Sequence, residues 1–248
     1  MNELRRIDVE HKEICCQYPR YILDSVEKLN RLRETLKRFN VIGFDNDHEE
    51  HYGNISARVD DSNKFICSAT QTGGIDEINE MHYPTITGFL SGVLYSIGVS
   101  NRKPSVEATT HLGFYEGNHL INCVAHGHYS PFYEYYKNRE KVAIVLEENI
   151  KFGTFEMKEA ARQKGLDERM LKNKSDYGNW GIVIPKGHFN AFFLVGESVK
   201  AVEHGFLTAI NEVAIGLVNK VNIRLTDLDS RAITEDSFRD PSQKAYLP

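Results

Sequence analysis

Segments of strand length and of helix length alternate along this chain, and that alternation predicts an α/β protein with a central sheet and helices on both sides. Two further observations agree with it. No linker rich in Pro, Gly or Ser separates the segments, and no internal repeat with a period of roughly 20–50 residues is present, which excludes solenoids and propellers. The 248 residues, 41% hydrophobic and 26% charged, suffice for a sizeable core of the ordinary globular kind.

From Tyr21 to Phe39 the apolar residues Ile22, Val26, Leu29, Leu32, Leu36 and Phe39 recur at helical spacing with charges between them, so an amphipathic helix is expected. The Gly43–Gly53 stretch, rich in Asp, Asn and His, reads as a polar loop. Ile55–Val59 and Lys64–Cys67 read as two strands of a hairpin around Asp60–Asn63. Beyond the polar segment Ser68–Gly74 and Pro84, the periodic stretch Ile86–Ile97 and then Ser105–Tyr115, with Pro104 at its start, are read as helical. Ile121–His126 and Lys141–Leu146 are expected as strands flanking a short helix at Pro131–Tyr136, followed by a helix from Phe155 to Gln163 that Gly165 ends. Trp180–Ile184 and Ala191–Val195 are strand-length apolar runs, and Ser198–Val221 keeps helical spacing. The expected organisation is one domain over 1–226 and a polar C-terminal tail over 227–248.

Composition narrows the partners. The 30 basic against 35 acidic residues give a net charge of −5 and no basic patch, so no nucleic acid is expected. No uninterrupted apolar run reaches the roughly 18 residues of a membrane span, and the N-terminus lacks the apolar stretch of a secretory signal, so no membrane and a cytoplasmic location are expected. Cys15, Cys16, Cys67 and Cys123 lack metal-site or disulfide-framework spacing; Cys67 and Cys123 are read as buried strand residues.

Four segments can carry chemistry. In Ala125-His126-Gly127-His128 the two imidazoles lie two residues apart at the end of a strand, so they share a face and can chelate one metal ion, while Gly127 leaves the opposite face open. Glu107 falls near the start of the Ser105–Tyr115 helix, where a carboxylate serves as base or simply complements the helix dipole. His111, four residues on, reads as a packed, hydrogen-bonded histidine. His188, just after a strand, suits a metal ligand or a polar turn. Gly53-Asn54-Ile55-Ser56 and Ser68–Gly74 supply the small, amide and hydroxyl residues of a phosphate nest.

Taken in order over roughly residues 20–220, these segments resemble the class II aldolase/adducin head family. The likeness is carried by Gly53-Asn54-Ile55-Ser56, by Ser68–Gly74 in a Ser-x-x-Gly slot and by Lys103-Pro-Ser-Val-Glu107 in a Pro-Ser-Ser-Glu slot. It continues through His126-Gly-His128 in a His-x-His slot, Phe152-Gly-Thr154, His188 and the long helix containing Glu203.

The resemblance implies an α/β/α sandwich with a central mixed, largely antiparallel sheet. It implies one Zn2+ per subunit, another divalent transition metal being possible, held by His126, His128 and His188, with Glu107 as proton-transferring base. Asn54, Thr72, Gly73 and Ser105 fall on the positions that hold a substrate phosphate, and Tyr129 and Glu148, with Glu147, lie where a second acid or phenol is expected. The substrate class implied is a small carbohydrate, and the assembly a homotetramer with active sites between subunits. The expected activity is a zinc-dependent lyase, reversibly cleaving a sugar or sugar phosphate through a metal-stabilised enediolate. A sugar-phosphate epimerase or dehydratase is the alternative on the same scaffold, and a non-catalytic, adducin-like scaffold the third. Two departures from the family pattern stand out: Val106 replaces the second serine, removing one phosphate donor, and His188 sits in Lys-Gly-His-Phe rather than Asn-His-Gly.

Overall fold

The computed structural model describes residues 7–60, 62–140, 143–146 and 150–230, with side chains up to residue 219. Its strands are β1 (Asp8–Glu13), β2 (Gly43–Asp45), β3 (Glu50–Tyr52), β4 (Asn54–Arg58), β5 (Phe65–Cys67), β6 (Thr85–Leu90), β7 (Val93–Gly98), β8 (Cys123–His128), β9 (Ile144–Leu146), β10 (Trp180–Pro185) and β11 (Ala191–Gly196). Its helices are α1 (Arg20–Arg38), α2 (Ala108–Gly117), α3 (Ser130–Tyr136), α4 (Phe155–Gly165) and α5 (Val199–Ser230).

Nine strands form one sheet in the order β1-β7-β6-β5-β4-β8-β11-β10-β9, antiparallel except where β1 meets β7 and β9 meets β10. β2 and β3 pair as a separate antiparallel ribbon. The sheet is therefore mixed and largely antiparallel, as expected.

One face is covered by α2 and α4 over a core that includes Phe65, Cys67, Leu112, Val124, Met157, Ala161, Phe193 and Val195. The two helices lie unusually close. A Cβ at Gly113 would stand 2.2 Å from the Lys158 carbonyl oxygen, and one at Gly117 2.2 Å from that of Arg162, so only glycine permits this approach. Thr154 caps α4, its hydroxyl accepting from the Met157 N–H, and buried Lys158 pairs with Glu116. The opposite face carries α1, α3 and the start of α5, with Phe132 stacked on Phe192 at 4.1 Å and Phe39 edge-on to Phe206 at 5.3 Å.

Two expectations change and one strand is added. The Gly43–Gly53 stretch, read as a polar loop, holds the antiparallel β2–β3 ribbon, because Asp45 and Glu50 pair across a short turn. Ile86–Ile97 is a hairpin rather than a helix: Ser91 and Gly92 both have positive φ, the signature of a tight turn that matches strand twist, and join β6 to β7. Asp8–Glu13, unread in the sequence, is an edge strand, and its charges are what an exposed edge requires. The chain divides into two compact units, 1–209 and 210–248. Of the expected tail, 231–248 lies outside the described residues.

Among the described residues one helical stretch, Val199–Asn219, is long and apolar enough to cross a membrane, with a mean hydropathy of 1.2. Glu203 and Glu212 interrupt it, which is why no uninterrupted run is visible in the sequence, and Ala201, Val202, Phe206 and Ala209 are buried in the protein.

Candidate metal centre and its cleft

Strand register builds the site. Asn54 on β4 lies opposite His126 on β8, and His126 lies opposite Phe193 on β11, so the three side chains form a row on the face covered by α2. The His126 ring stacks on Phe193 with centroids 4.5 Å apart. His128, two residues on, shares that face, and His188 enters from the turn between β10 and β11. The face opposite Gly127 is filled rather than open: a Cβ there would stand 2.2 Å from Val41 Cγ1. The Val41 carbonyl accepts from the His128 N–H, so the chain crosses directly behind the pair.

The ring nitrogens of His126, His128 and His188 lie within 4.8 Å of one another. Glu107, the residue at the N-cap of α2, brings Oε1 to 3.1 Å from His126 Nε2 and 3.7 Å from His188 Nδ1. Neither approach has hydrogen-bond geometry: His126 Nε2, His188 Nδ1 and Glu107 Oε1 are all buried without a hydrogen-bond partner.

The Nδ1 of His126 donates to the Phe192 carbonyl at 3.0 Å, and a carbonyl can only accept. In the neutral ring Nε2 then presents a lone pair to a carboxylate oxygen. Two lone pairs at that separation call for a positive charge between them, either a proton on Nε2 or a metal ion. The Phe189 backbone acts on the His128 ring against burial, raising its pKa. The residues therefore fit a divalent ion held by three imidazoles with a carboxylate beside it.

Charge states agree. Burial, assisted by His126, pushes His128 down to about 3 and His188 to about 4, so both rings are neutral and free to ligate. For Glu107 burial raises the pKa, but the neighbouring histidines, His126 foremost, outweigh it and bring the carboxyl to about 2, keeping it ionised.

A cavity of about 220 Å³ adjoins the histidines and is lined by Asn54, Thr72, Gly73, Ser105, Val106 and Phe152 among others. The four expected phosphate residues are thus brought together, in unequal states. Asn54 Nδ2 donates to Glu107 Oε2 at 2.6 Å and to Ser105 Oγ at 3.4 Å, so the amide faces the carboxylate. The Thr72 hydroxyl donates to the Ala69 carbonyl at 2.7 Å. Ser105 Oγ accepts from Asn54 and from the Glu107 N–H, which leaves its own proton for the cavity. Val106 is 48% exposed beside it.

A second, larger cavity of about 650 Å³ opens on the far side of His128, where half-buried Tyr129 lines it together with Asp45, Asp47 and Glu50. Glu147 and Glu148 lie outside the described residues. His111 is fully buried behind the site, its Nδ1 hydrogen-bonded to Ser56 Oγ at 2.7 Å, and burial lowers its pKa to about 3.

Sequence reasoning missed Phe152, whose ring stacks on His188 at 4.4 Å, and Arg33, which is buried under the Thr72–Ile75 turn. A signal for Arg33 existed. It stands four residues after Leu29 on the apolar stripe of α1.

The fold and this histidine–carboxylate cluster define an α/β protein of the class II aldolase type. The family model "Class II Aldolase and Adducin N-terminal domain" matches residues 39–159 of this chain. No curated protein matches the sequence.

Among solved structures, L-fuculose-1-phosphate aldolase from Thermus thermophilus superposes with a TM-score of 0.55 at 15% identity, over 79% of this chain and 94% of that one. A sugar-phosphate aldolase from Thermotoga maritima gives 0.53 at 16%, over 79% and 97%. YgbL from Escherichia coli, for which aldolase, epimerase and decarboxylase activities are all entertained, gives 0.55 at 12%, over 79% and 89%. At these identities the likeness is one of fold.

Proposed function

We propose that the protein is a zinc-dependent lyase that reversibly cleaves a carbon–carbon bond in a small sugar or sugar phosphate. The observation that carries this reading is the set of buried, unpartnered lone pairs on His126, His188 and Glu107 converging on one point. His126, His128 and His188 would hold the ion, which when bound supplies Lewis-acid polarisation of a substrate carbonyl and so favours the enediolate of aldol cleavage.

Glu107, ionised and turned toward the cavity, takes and returns the proton at the carbon beside that carbonyl, and Asn54 holds it in place through Oε2. Ser105 and the Gly73 amide bind the distal group of the substrate in the smaller cavity. Tyr129, at the larger one, delivers or removes the proton on the other fragment, alone or with Glu148. Val106, Phe152 and Phe155, all at least 40% exposed, and Leu90 at 67% support a homotetramer whose neighbouring subunit covers them. Four free cysteines support a cytoplasmic location.

Elemental analysis of protein purified without chelator, followed by condensation assays of aldehydes with dihydroxyacetone phosphate, pyruvate and glycolaldehyde, tests the reading. About one zinc per chain and a cleaved or condensed product are expected. Protein that neither retains nor responds to metal sinks it, and a product epimerised without cleavage reassigns the same centre to an epimerase.

A further inference from the structure

Between β1 and α1 the chain is tied at two points. The Ile14 N–H donates to the Gly98 carbonyl at 2.8 Å, and the hydroxyl of buried Tyr18 donates to the Tyr83 carbonyl at 2.9 Å. The residues between these anchors, Cys15, Cys16 and Gln17, are all exposed. Two adjacent thiols are thus presented to solvent on a segment whose ends are fixed.

Both cysteines line a cavity of about 470 Å³, which shares no lining residue with either cavity beside the histidines. Tyr18, Leu23, Met81 and Val99 give it apolar surface. Its charged lining residues are Glu13 and Glu80, with no Lys, Arg or His among them. Neither carboxylate has an ion-pair partner among the described residues, so the cavity carries uncompensated negative charge.

The spacing of neighbours sets the chemistry of the pair. Adjacent Cα atoms stand about 3.8 Å apart, below the roughly 4.4–6.8 Å that a relaxed disulfide spans. A bond between neighbours is therefore strained and readily reduced, which suits a reversible switch better than a structural cross-link. Closing it is fast, because the second sulfur is already beside the first and no loop has to be ordered. Cys67 and Cys123 take no part: both are buried in the sheet, and burial pushes their thiols far above the ordinary range, so they stay protonated and out of reach.

We propose that Cys15 and Cys16 form a redox-active dithiol, separate from the metal centre, whose co-reactant is a small, positively charged aliphatic disulfide. One cysteine, as thiolate, attacks a sulfur of the co-reactant. The S–S bond of the co-reactant breaks, one half leaves and takes up a proton, and the other half stays on the protein as a mixed disulfide. The neighbouring cysteine gives up its proton, attacks the protein sulfur of that mixed disulfide and expels the second half as thiol. Two protein thiols are oxidised to one disulfide while one small disulfide is reduced to two thiols, so no other electron acceptor enters. Glu13 and Glu80 select the charge, attracting ammonium groups and repelling carboxylates, and the apolar lining receives the methylene chain.

The test is to react the intact chain with cystamine and, separately, with dithiodipropionate, its carboxylate counterpart. Each rate is normalised to the same reagent's rate with free dithiothreitol, and intact mass is followed throughout. The wild type is expected to lose two hydrogens, keep no adduct, run as a single chain without reductant and regain its mass with dithiothreitol. Cys16→Ser should instead keep one cystamine half. The normalised rate should favour cystamine by about fivefold at low salt, and Glu13→Gln combined with Glu80→Gln, both on exposed side chains, should remove that preference.

A mixed disulfide that persists on the wild type, a covalent link between chains, or reaction at Cys67 or Cys123 overturns the inference. So do equal normalised rates for the two reagents, which would reduce the pair to ordinary exposed thiols.

Discussion

The two walls of the small cavity are built on opposite principles. On the histidine wall, β8 and the turn between β10 and β11 supply the imidazoles and leave His126 Nε2, His188 Nδ1 and Glu107 Oε1 buried with nothing to bond. On the opposite wall, the Thr72–Ile75 turn has its carbonyls satisfied by Arg33 and Lys37, its threonine hydroxyl by Ala69 and one amide by His51. Native proteins rarely leave buried polar atoms unpaired, so the three atoms of the first wall call for a partner of the kind that the carbonyls of the second wall already have. The difference bears on the proposed reaction: the unsatisfied wall is where an ion or a proton would be taken up, whereas the carbonyls of the opposite turn are already held.

The comparison breaks most completely if the histidine wall needs no ion. His126→Ala is expected to abolish metal retention, taking the content from about one ion per chain to background, and with it all lyase activity. Metal analysis alone decides this. A variant that still holds stoichiometric zinc would show that the three rings are not the ligand set.

Next in size is the carboxylate. Glu107→Gln keeps one amide oxygen that can accept from Asn54 Nδ2 and should retain much of the metal, while proton exchange at the carbon beside the substrate carbonyl slows by about 10²–10⁴. Isotope exchange followed by NMR checks it, and a near-normal exchange rate would return Glu107 to the role of a helix-dipole carboxylate.

Acid should act on the same wall in the metal-free protein. His111 and His128 at about 3 and His188 at about 4 lie below their ordinary value, so the unfolded chain binds protons that the folded one refuses. Stability then falls as pH drops below about 6.5, by up to ~1.4 kcal/mol per histidine for each pH unit, and is level above it. Glu107, held low, adds loss in the same direction below about 4.5. Melting temperature against pH with and without zinc measures the slope. Unchanged stability from pH 7 to pH 5 in the metal-free protein would contradict the neutral buried rings.

The smallest effect concerns the satisfied wall. Val106→Ser adds a hydroxyl beside Ser105 and should raise the preference for phosphorylated over matched unphosphorylated substrates by about tenfold at most. A wild type that already prefers the phosphorylated one by several orders of magnitude, unchanged by the serine, would mean that Val106 does not report on the substrate.

Much of this architecture was legible because the responsible signals are local. The helical spacing of Ile22 to Leu36 and the alternation that puts His126 and His128 on one face each depend on a few neighbouring residues. The hairpin of β6 and β7 was misread because apolar residues on two strands joined by the two-residue turn Ser91-Gly92 fall at spacings that imitate a helix. Edge strand β1 was unread since Val9 is its only aliphatic residue and its pairing with β7 spans most of a hundred residues. The role of the Phe192 carbonyl and the burial of Arg33 depend on contacts between distant segments, which no local pattern records.

The close contact of α2 with α4 has a further consequence for the carboxylate. Gly113 stands six residues beyond Glu107, about 9 Å along the helix, and with Gly117 it presses α2 directly onto the backbone of α4. A rod seated at two points along one line can neither slide nor roll, so its free tip inherits the tolerance of the seat. The pair of glycines serves as the datum from which the position of the Glu107 carboxylate is measured. A single methyl group added there would misplace Glu107 while leaving every residue of the cleft intact.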